Sequence, residues 1–247
     1  MENFKLTVLG TRGSVPVEGK NFSIYGGATS SYKVQAGDEE IYLDAGSGIV
    51  SSLPEKNSNI TILLTHMHLD HLVGLPFFVA LTQKDRPIKI FAAERVGLPP
   101  KAAIDKIISN PFWPCKIEDY PAKVSFHLLP KKFSIGQVEV DTLEGSHPKG
   151  STIYRLTYKG KSIVHATDFE HNTEACAALA AFARLPHNLR RAPRRIRGKW
   201  GICPSVPMLY FRATTFRNLA CAERQALKTA PQLLAAGAPG GGRTHNL

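Results

Sequence analysis

The order of apolar and polar positions predicts that the first 183 residues form mainly β-strands. Short apolar or alternating runs, bounded by turn-forming residues, are typical of strands. Apolar residues at helical spacing, or a run rich in Ala, predict helices at 99–109 and 175–183, and a further helix start lies at residues 72–78. Strands interspersed with helices indicate a layered α/β fold. The predicted strands cover residues 4–9, 32–36, 41–43, 60–64, 87–92, 124–129, 137–143, 152–158 and 162–166.

A dense group of ligand-type side chains follows the predicted strand at 60–64. His66, His68, Asp70 and His71 fall within six consecutive residues. Neutral imidazole and carboxylate are zinc-type ligands. The alternating His66 and His68 are expected to face one metal, and Asp70 and His71 a second. The alternative is a surface loop that is merely rich in His, and the density of ligands at a strand end argues against it.

Two further ligand-type residues, His147 and Asp168, also follow predicted strands. Loops at strand ends are where layered folds place their sites. His127 and His165 instead lie inside apolar strands, so we expect structural roles for them. The Gly-rich loops are expected to be tight turns, because no GK[ST] phosphate-binding motif follows any of them.

Composition narrows the class of protein. At 43% hydrophobic residues, the 247-residue chain can bury a sizeable core. No apolar run approaches the roughly 20 residues of a membrane span, and the N-terminus lacks the basic and apolar regions of a signal peptide. The four Cys include no CxxC pair. A reducing cytoplasmic setting is therefore expected, with no membrane partner.

The net charge of +11 lies wholly in the last part of the chain. Residues 1–183 carry 19 basic and 19 acidic side chains, whereas residues 184–247 carry 12 basic and one acidic, and Arg replaces Lys as the main basic residue. We therefore predict one domain over 1–183 and an anomalous Arg-, Pro-, Ala- and Gly-rich tail over 184–247 with little packed structure. Two interpretations of the tail stay open: a disordered basic arm that binds nucleic acid, or sequence not native to the domain, such as a frameshift. The abrupt change of composition favours the second.

The motifs together resemble those of a known family. The block Thr65-His66-x-His68-x-Asp70-His71, followed by His147 and Asp168, resembles the HxHxDH signature of metallo-β-lactamase-fold hydrolases. Flanking motifs at 10–16, 25–30, 43–48 and 166–171 resemble the branch that contains ribonuclease Z and the cyclic-nucleotide phosphodiesterases. The resemblance extends over about residues 4–182.

This resemblance implies an αββα sandwich that binds two divalent metal ions at one edge, usually zinc, with manganese as an alternative. It implies that Asp44 orients a ligand histidine from behind. The family also supplies one more His to the second metal, at a position that falls here in the anomalous tail. His187 and His245 lack the expected context, so we expect a C-terminally incomplete fold and an incomplete second site. The implied ligands are His66, His68 and His147 for the first metal, Asp70 and His71 for the second, and Asp168 bridging both.

The implied activity is that of a metal-dependent phosphodiesterase acting on a nucleotide-like or cyclic phosphodiester. Two adjacent cations lower the pKa of a shared water to give a metal-bound hydroxide, and they clamp the attacking and leaving oxygens. Asp70 is the candidate to accept a hydrogen bond from the nucleophile. His171 is the candidate to protonate the leaving oxygen, and a supporting or surface role for His171 is an equal alternative.

Other functions stay open beside this one. RNA processing like that of ribonuclease Z is less favoured, because the RNA-gripping arm of that family lies between the positions matched by His147 and Asp168, where this chain has only 20 residues. A β-lactam hydrolase is weaker still, because a His directly after Asp70 fits the phosphodiesterase branch better. A catalytically impaired, truncated or frameshifted product is the non-enzymatic alternative. The expected partner is a small phosphodiester, nucleic acid is not favoured, and a homodimer is open because relatives often dimerise.

Overall fold

The computed structural model describes residues 4–22, 26–170 and 173–183. His171, the whole of 184–247 and the position expected for a last metal ligand lie outside these residues, so the predictions made for them stay predictions. The described residues form two sheets that pack face to face.

The first sheet has six strands in chain order, β1 to β6. Its first three strands are antiparallel, and β3 to β6 run parallel. The parallel strands β4 and β5 are rich in Ile, as expected for strands covered on both faces. The strands are β1 (Phe4–Gly10), β2 (Ser31–Ala36), β3 (Glu39–Leu43), β4 (Asn59–Leu63), β5 (Pro87–Ala92) and β6 (Lys123–Leu128).

The second sheet is antiparallel throughout and has the order β10-β9-β8-β7. The turn that carries His147 joins β8 to β9, and the segment that carries Asp168 follows β10. The turn and the segment therefore lie at the same end of the strands in this sheet. The strands are β7 (Lys132–Ile135), β8 (Val138–Gly145), β9 (Ser151–Tyr158) and β10 (Lys161–His165).

Three apolar clusters give the structure its layers. The central cluster joins the inner faces of the two sheets, with side chains such as Val34 and Leu43 against Val140 and Leu156. A second lies on the outer face of the first sheet and includes Ile104 of helix α1 (Pro100–Asp105). The third packs helix α2 (Thr173–Ala183) on the outer face of the second sheet. The order of layers is helix, sheet, sheet, helix, and the predicted αββα sandwich is confirmed.

Several predicted elements differ in detail. The expected helix after residue 72 is wrong: short 3₁₀ helices occur at Leu69–His71, Leu75–Phe77 and Val79–Thr82. Gly74 packs so closely on the backbone of Gly46 that a Cβ there would overlap the Gly46 carbonyl, which holds the chain in tight turns. Helix α1 ends at Asp105 rather than near 109. Strand β7 was not predicted, because its four residues are too few for a periodic signal. None of the helices in the described ranges is long and apolar enough to cross a membrane.

One buried hydrogen bond ties the two sheets together beside the ligand segment. The Tyr154 hydroxyl on β9 donates to the Leu64 carbonyl, just past the end of β4, at 2.6 Å. Tyr154 is fully buried. The bond therefore links the strand that leads to His66 with the strand that follows His147.

We expect Tyr154→Phe to lower the free energy of unfolding by about 1–3 kcal/mol, because the buried Leu64 carbonyl loses its donor. Urea denaturation of the purified chain measures this. Tyr158→Phe, on the same strand, is the control and should have a smaller effect. Equal effects of the two substitutions would contradict the role assigned to the Tyr154 hydroxyl.

Candidate metal centre

The ligand segment leaves the end of β4 and turns at once into the 3₁₀ helix at Leu69–His71. Its side chains differ sharply in exposure: His66 and His71 are buried, whereas His68 is exposed. The cluster therefore opens to solvent on the side of His68.

The three histidines assigned to a first metal in the sequence converge, and their role as ligands stays a prediction. His66 Nε2 lies 2.8 Å from His68 Nδ1, and His147 Nε2 lies 3.2 Å from the same atom. One ring nitrogen from each lies within 4.8 Å of the other two. The turn between β8 and β9 thus brings His147 to His68, 79 residues earlier in the chain. This group has the spacing needed to hold an ion.

A second group consists of His66, His71 and Asp168, all buried and also within 4.8 Å of one another. Asp168 Oδ2 lies 2.6 Å from His71 Nε2 and 3.9 Å from His66 Nε2. Although the first distance is short, Asp168 Oδ2 has no hydrogen bond of good geometry among the described residues. Asp168 thus lies beside His71 and near His66, and its bridging of two metals stays a prediction.

Asp70 lies at the margin of the cluster. Its Oδ2 is 3.6 Å from His71 Nε2 and accepts a hydrogen bond from the Ser14 backbone N–H at 2.7 Å. Asp70 belongs to neither of the two compact groups, so its assignment to the second metal stays a prediction. Ser14 has a left-handed backbone with φ of 71°, which is uncommon for a residue other than Gly.

Asp44 lies beneath both groups and is completely buried. Its Oδ2 accepts from His71 Nδ1 at 2.7 Å, and its Oδ1 accepts from the Thr65 N–H at 2.8 Å and the Thr65 hydroxyl at 2.9 Å. The Ser30 hydroxyl completes the set at 3.1 Å. The prediction placed Asp44 behind a ligand histidine, and the structure has it bonded to His71.

This network assigns the ring protons of two histidines. His71 Nδ1 donates to Asp44, and His66 Nδ1 lies 3.0 Å from the Thr65 hydroxyl oxygen, whose own hydrogen points to Asp44. In both rings Nε2 is therefore the atom that faces the cluster. Such outer hydrogen bonds set the tautomer of metal-binding histidines.

Burial and neighbouring charges shift the pKa values in this network. Burial, together with the charge of neighbouring His71, lowers the pKa of His66 to about 3, against the pull of Asp44 and Asp168. For Asp44, burial alone would raise the pKa, but the charge and hydrogen bond of His71, together with the nearby His165 ring, outweigh it and hold the pKa well below its usual range. Burial would lower the pKa of His71, but Asp44 and Asp168 outweigh it and raise the pKa well above its usual range. His66 thus stays neutral at ordinary pH, while Asp44 stays ionised.

The two histidines expected to be structural lie outside both ligand groups. His165 is buried with its ring edge against Tyr32, and its Nε2 is 3.6 Å from Asp44 Oδ2. His127 stacks on Phe91 at 4.7 Å between ring centroids. The sequence did not reveal the parts played by Thr65, Ser30 and Ser14. Ser14 lies in the turn-rich loop at 10–16, one of the motifs that carry the family resemblance, but the sequence did not predict its contact with Asp70.

The His71–Asp44 pair makes a prediction for the protein freed of metal by a chelator. The raised pKa of His71 means that its stabilising contribution is present below its ordinary pKa of about 6.5 and is lost as pH rises through the raised value. Asp44→Asn should lower the free energy of unfolding at pH 6 by about 3 kcal/mol and flatten the fall in stability above pH 6.5.

Denaturation between pH 6 and 9 measures both effects. Asp85→Asn is the control, because it removes a carboxylate from an exposed pair with Lys123, and it should change little. An Asp44→Asn protein as stable as the parent, with the same pH dependence, would contradict the anchoring role of Asp44.

Comparison with known proteins agrees with this architecture. The sequence model of the β-lactamase superfamily domain matches residues 39–188, more than half of the chain. Ribonuclease Z of Clostridium tetani is 29% identical over 167 residues, which cover 63% of this chain and 51% of that protein. Ribonuclease Z of a Bradyrhizobium strain, ORS 278, is 39% identical over 77 residues, 30% of this chain and 23% of that protein. The chain thus spans about half of the first relative, or less than a quarter of the second.

Solved structures show the same fold at low sequence identity. The metallo-β-lactamase fold protein YhfI from Bacillus subtilis aligns with a TM-score of 0.50 and 19% identity over 70% of this chain and 66% of that one. A diphosphatase of the PhnP family aligns with a TM-score of 0.51 and 17% identity over 70% and 69% of the two chains. Family match and fold lead to one conclusion: the chain belongs to the β-lactamase superfamily and has the metallo-β-lactamase fold of its metal-dependent hydrolases.

Proposed function

We propose that the chain is a phosphodiesterase that uses divalent metal ions to hydrolyse a small nucleotide-like or cyclic phosphodiester. The observation that carries this proposal is the convergence of His66, His68 and His147 beside the buried pair of His71 and Asp168. The group opens to solvent through His68, so a small substrate has access to it.

The donor atoms fit a metal on evidence from the structure itself. Three imidazole nitrogens face one another around His68 Nδ1, and neutral rings cannot all satisfy one another by hydrogen bonds. Asp168 Oδ2 is buried 2.6 Å from His71 Nε2 but has no well-aligned hydrogen bond in the described part of the chain. Buried polar atoms normally have partners. A cation would satisfy the nitrogen lone pairs and this oxygen together, and nitrogen and oxygen donors of this kind suit zinc.

His66, His68 and His147 would hold one ion, and His71 would hold the second with Asp168 between them. Such ions, when bound, polarise phosphoryl oxygens and lower the pKa of water. We propose zinc, with manganese as the alternative. Among the described residues, the second group has the smaller donor set, and its completeness depends on residues outside that part of the chain.

The chain's own side chains prepare this site. Asp44 bonds to His71 directly and to His66 through Thr65. Both rings are therefore held in one orientation, with Nε2 facing the cluster. This preorganisation lowers the cost of binding. Asp70, held by the Ser14 N–H at the margin of the cluster, is the candidate to accept a hydrogen bond from the nucleophile. His171, outside the described residues, remains the candidate proton donor for the leaving oxygen.

The choice of substrate class rests on the relatives and on the chain itself. Sequence relatives are ribonucleases, which cleave phosphodiesters, and this supports a phosphodiester substrate. Ribonuclease Z-like RNA processing is the second candidate for the same reason. The hairpin of β9 and β10, residues 151–165, occupies 15 of the 20 residues between His147 and Asp168. A small substrate is therefore preferred to a folded RNA. A homodimer in a reducing cytoplasm remains the proposed setting.

Elemental analysis and turnover of bis-p-nitrophenyl phosphate test the proposal. The purified chain should contain zinc or manganese and hydrolyse the ester, and a chelator should abolish turnover. His68→Ala should lose bound metal and at least about 100-fold in rate, because ligand loss costs no less than loss of an outer hydrogen bond.

His127→Ala is the matched control, because it removes an imidazole that stacks on Phe91 outside the cluster. It should retain metal and activity. A chain that binds metal but shows no turnover would contradict the catalytic part of the proposal and favour an impaired product. A chain that binds no metal would contradict the proposal entirely.

A further inference from the structure

We propose that Arg95 is a positioning residue for His147: it clamps the turn that presents this histidine to the metal cluster. The inference rests on the proposed function, because it takes His147 to be a metal ligand. Arg95 follows β5 in the first sheet, whereas His147 belongs to the second, so the contact joins the two halves of the sandwich at the site.

The turn that carries His147 is tight and conformationally costly. It connects Gly145, the end of β8, to Ser151, the start of β9. Gly150 N–H donates to the His147 carbonyl at 2.7 Å. Lys149 and Gly150 are both left-handed, with φ of 67° and 85°. A non-Gly residue in this region costs free energy, so contacts from outside the turn are needed to hold this geometry.

Arg95 supplies such contacts at the base of the turn. Its guanidinium forms a two-point ion pair with the Glu144 carboxylate, of which the Nη2–Oε2 distance is 3.0 Å. Nη2 also donates to the Thr152 hydroxyl at 3.0 Å. Glu144 and Thr152 face each other across β8 and β9, one pair below the turn. One planar cation therefore bridges both strands that lead into and out of the His147 turn.

Gly150 makes room for this arrangement. A Cβ at Gly150 would overlap both the Arg95 guanidinium and the Glu144 carboxylate. The guanidinium therefore lies directly against the backbone of the turn itself. Other bonds tie the same region to the cluster: Thr152 N–H donates to the Thr65 carbonyl at 2.8 Å, and Glu170 N–H to the Ser146 carbonyl at 2.6 Å.

The segment that presents Arg95 is itself strained. Arg95 and Leu98 exchange backbone hydrogen bonds, and Val96 between them has a φ of 54°. For a β-branched residue this is a genuine outlier. Arg95 Nε is also buried without a hydrogen-bond partner in the part of the chain that is described. Both features cost stability, as expected of a contact kept for the geometry of a site rather than for the fold.

The alternative is that Arg95 only stabilises the fold. In that case its removal would lower the free energy of unfolding and leave metal binding unchanged. The Arg95 side chain is 13% exposed, but its partner Glu144 is 62% exposed, so solvent screens the pair and limits its contribution to stability. Loss of Arg95 should therefore change unfolding little but should weaken metal binding. We expect the metal affinity to fall about tenfold or more, which is the effect of losing an outer hydrogen bond at a metal site.

Zinc affinity of the full-length chain, measured by competition with a chromophoric chelator, tests the clamp in a double-mutant cycle. Arg95→Ala should weaken the affinity about tenfold, while the urea midpoint of the metal-free protein stays close to the parent value. In a His147→Ala background, Arg95→Ala should have no further effect, because the ligand it positions is gone. Hydrogen exchange at 146–150 in the metal-free protein should become faster in Arg95→Ala.

Two further variants separate the geometry of the Arg95–Glu144 contact from the charge of Arg95. Arg95→Lys keeps the charge but loses the planar two-point contact, so it should restore only part of the affinity. Glu144→Gln should weaken affinity in the same direction. Arg155→Ala is the matched control: it removes the 2.7 Å pair between Arg155 Nη2 and Asp141 on the same sheet, and it should leave zinc affinity unchanged.

Parent-like zinc affinity in Arg95→Ala would overturn the inference, as would an equal loss in the parent and His147→Ala backgrounds. If His147→Ala alone leaves zinc affinity unchanged, the proposed ligand role of His147 fails, and the clamp with it. The first two outcomes leave the proposed function intact, so the two failures are distinguishable.

Discussion

The buried carboxylate of Asp44 is the interaction on which the arrangement of the site depends. Removing a carboxylate from water is costly unless it is paired and hydrogen-bonded. Here Thr65, Ser30 and His71 supply hydrogen bonds to it. The same bonds fix the start of the ligand segment and, through Thr65, the ring of His66. One charge at the end of β3 thus sets the orientation of two histidines on the segment that follows β4.

Close backbone packing holds the ligand segment from the other side. A Cβ on Gly46 would overlap the carbonyl of Asp70, and Gly74 lies equally close to Gly46. These approaches require Gly because any larger residue would push the segment away. The segment is therefore confined between the loop after β3 and the second sheet, to which Tyr154 and Thr152 bind it. The side chains of the cluster inherit their positions from this confined backbone.

The parts of the fold and the site that the sequence predicts are those that leave a pattern among neighbouring residues. The strands were found because apolar runs such as 60–64 are bounded by turns, and the ligand segment because four donor residues follow one of those strands within six positions. The contacts of Ser14 with Asp70 and of Arg95 with Glu144 join residues 56 and 49 positions apart. Neither leaves a periodic signal in the sequence. The short 3₁₀ helices replace the expected helix because Gly46 and Gly74 meet in space, which no local pattern reveals.

We propose that the convergence of His66, His68 and His147 serves to hold a metal ion. Diffraction data collected on both sides of the zinc absorption edge, from crystals of the full-length chain grown with zinc, test it most directly. If the three histidines hold zinc, an anomalous peak will lie among His66 Nε2, His68 Nδ1 and His147 Nε2. Absence of a peak there, or zinc bound only at other residues, would contradict it.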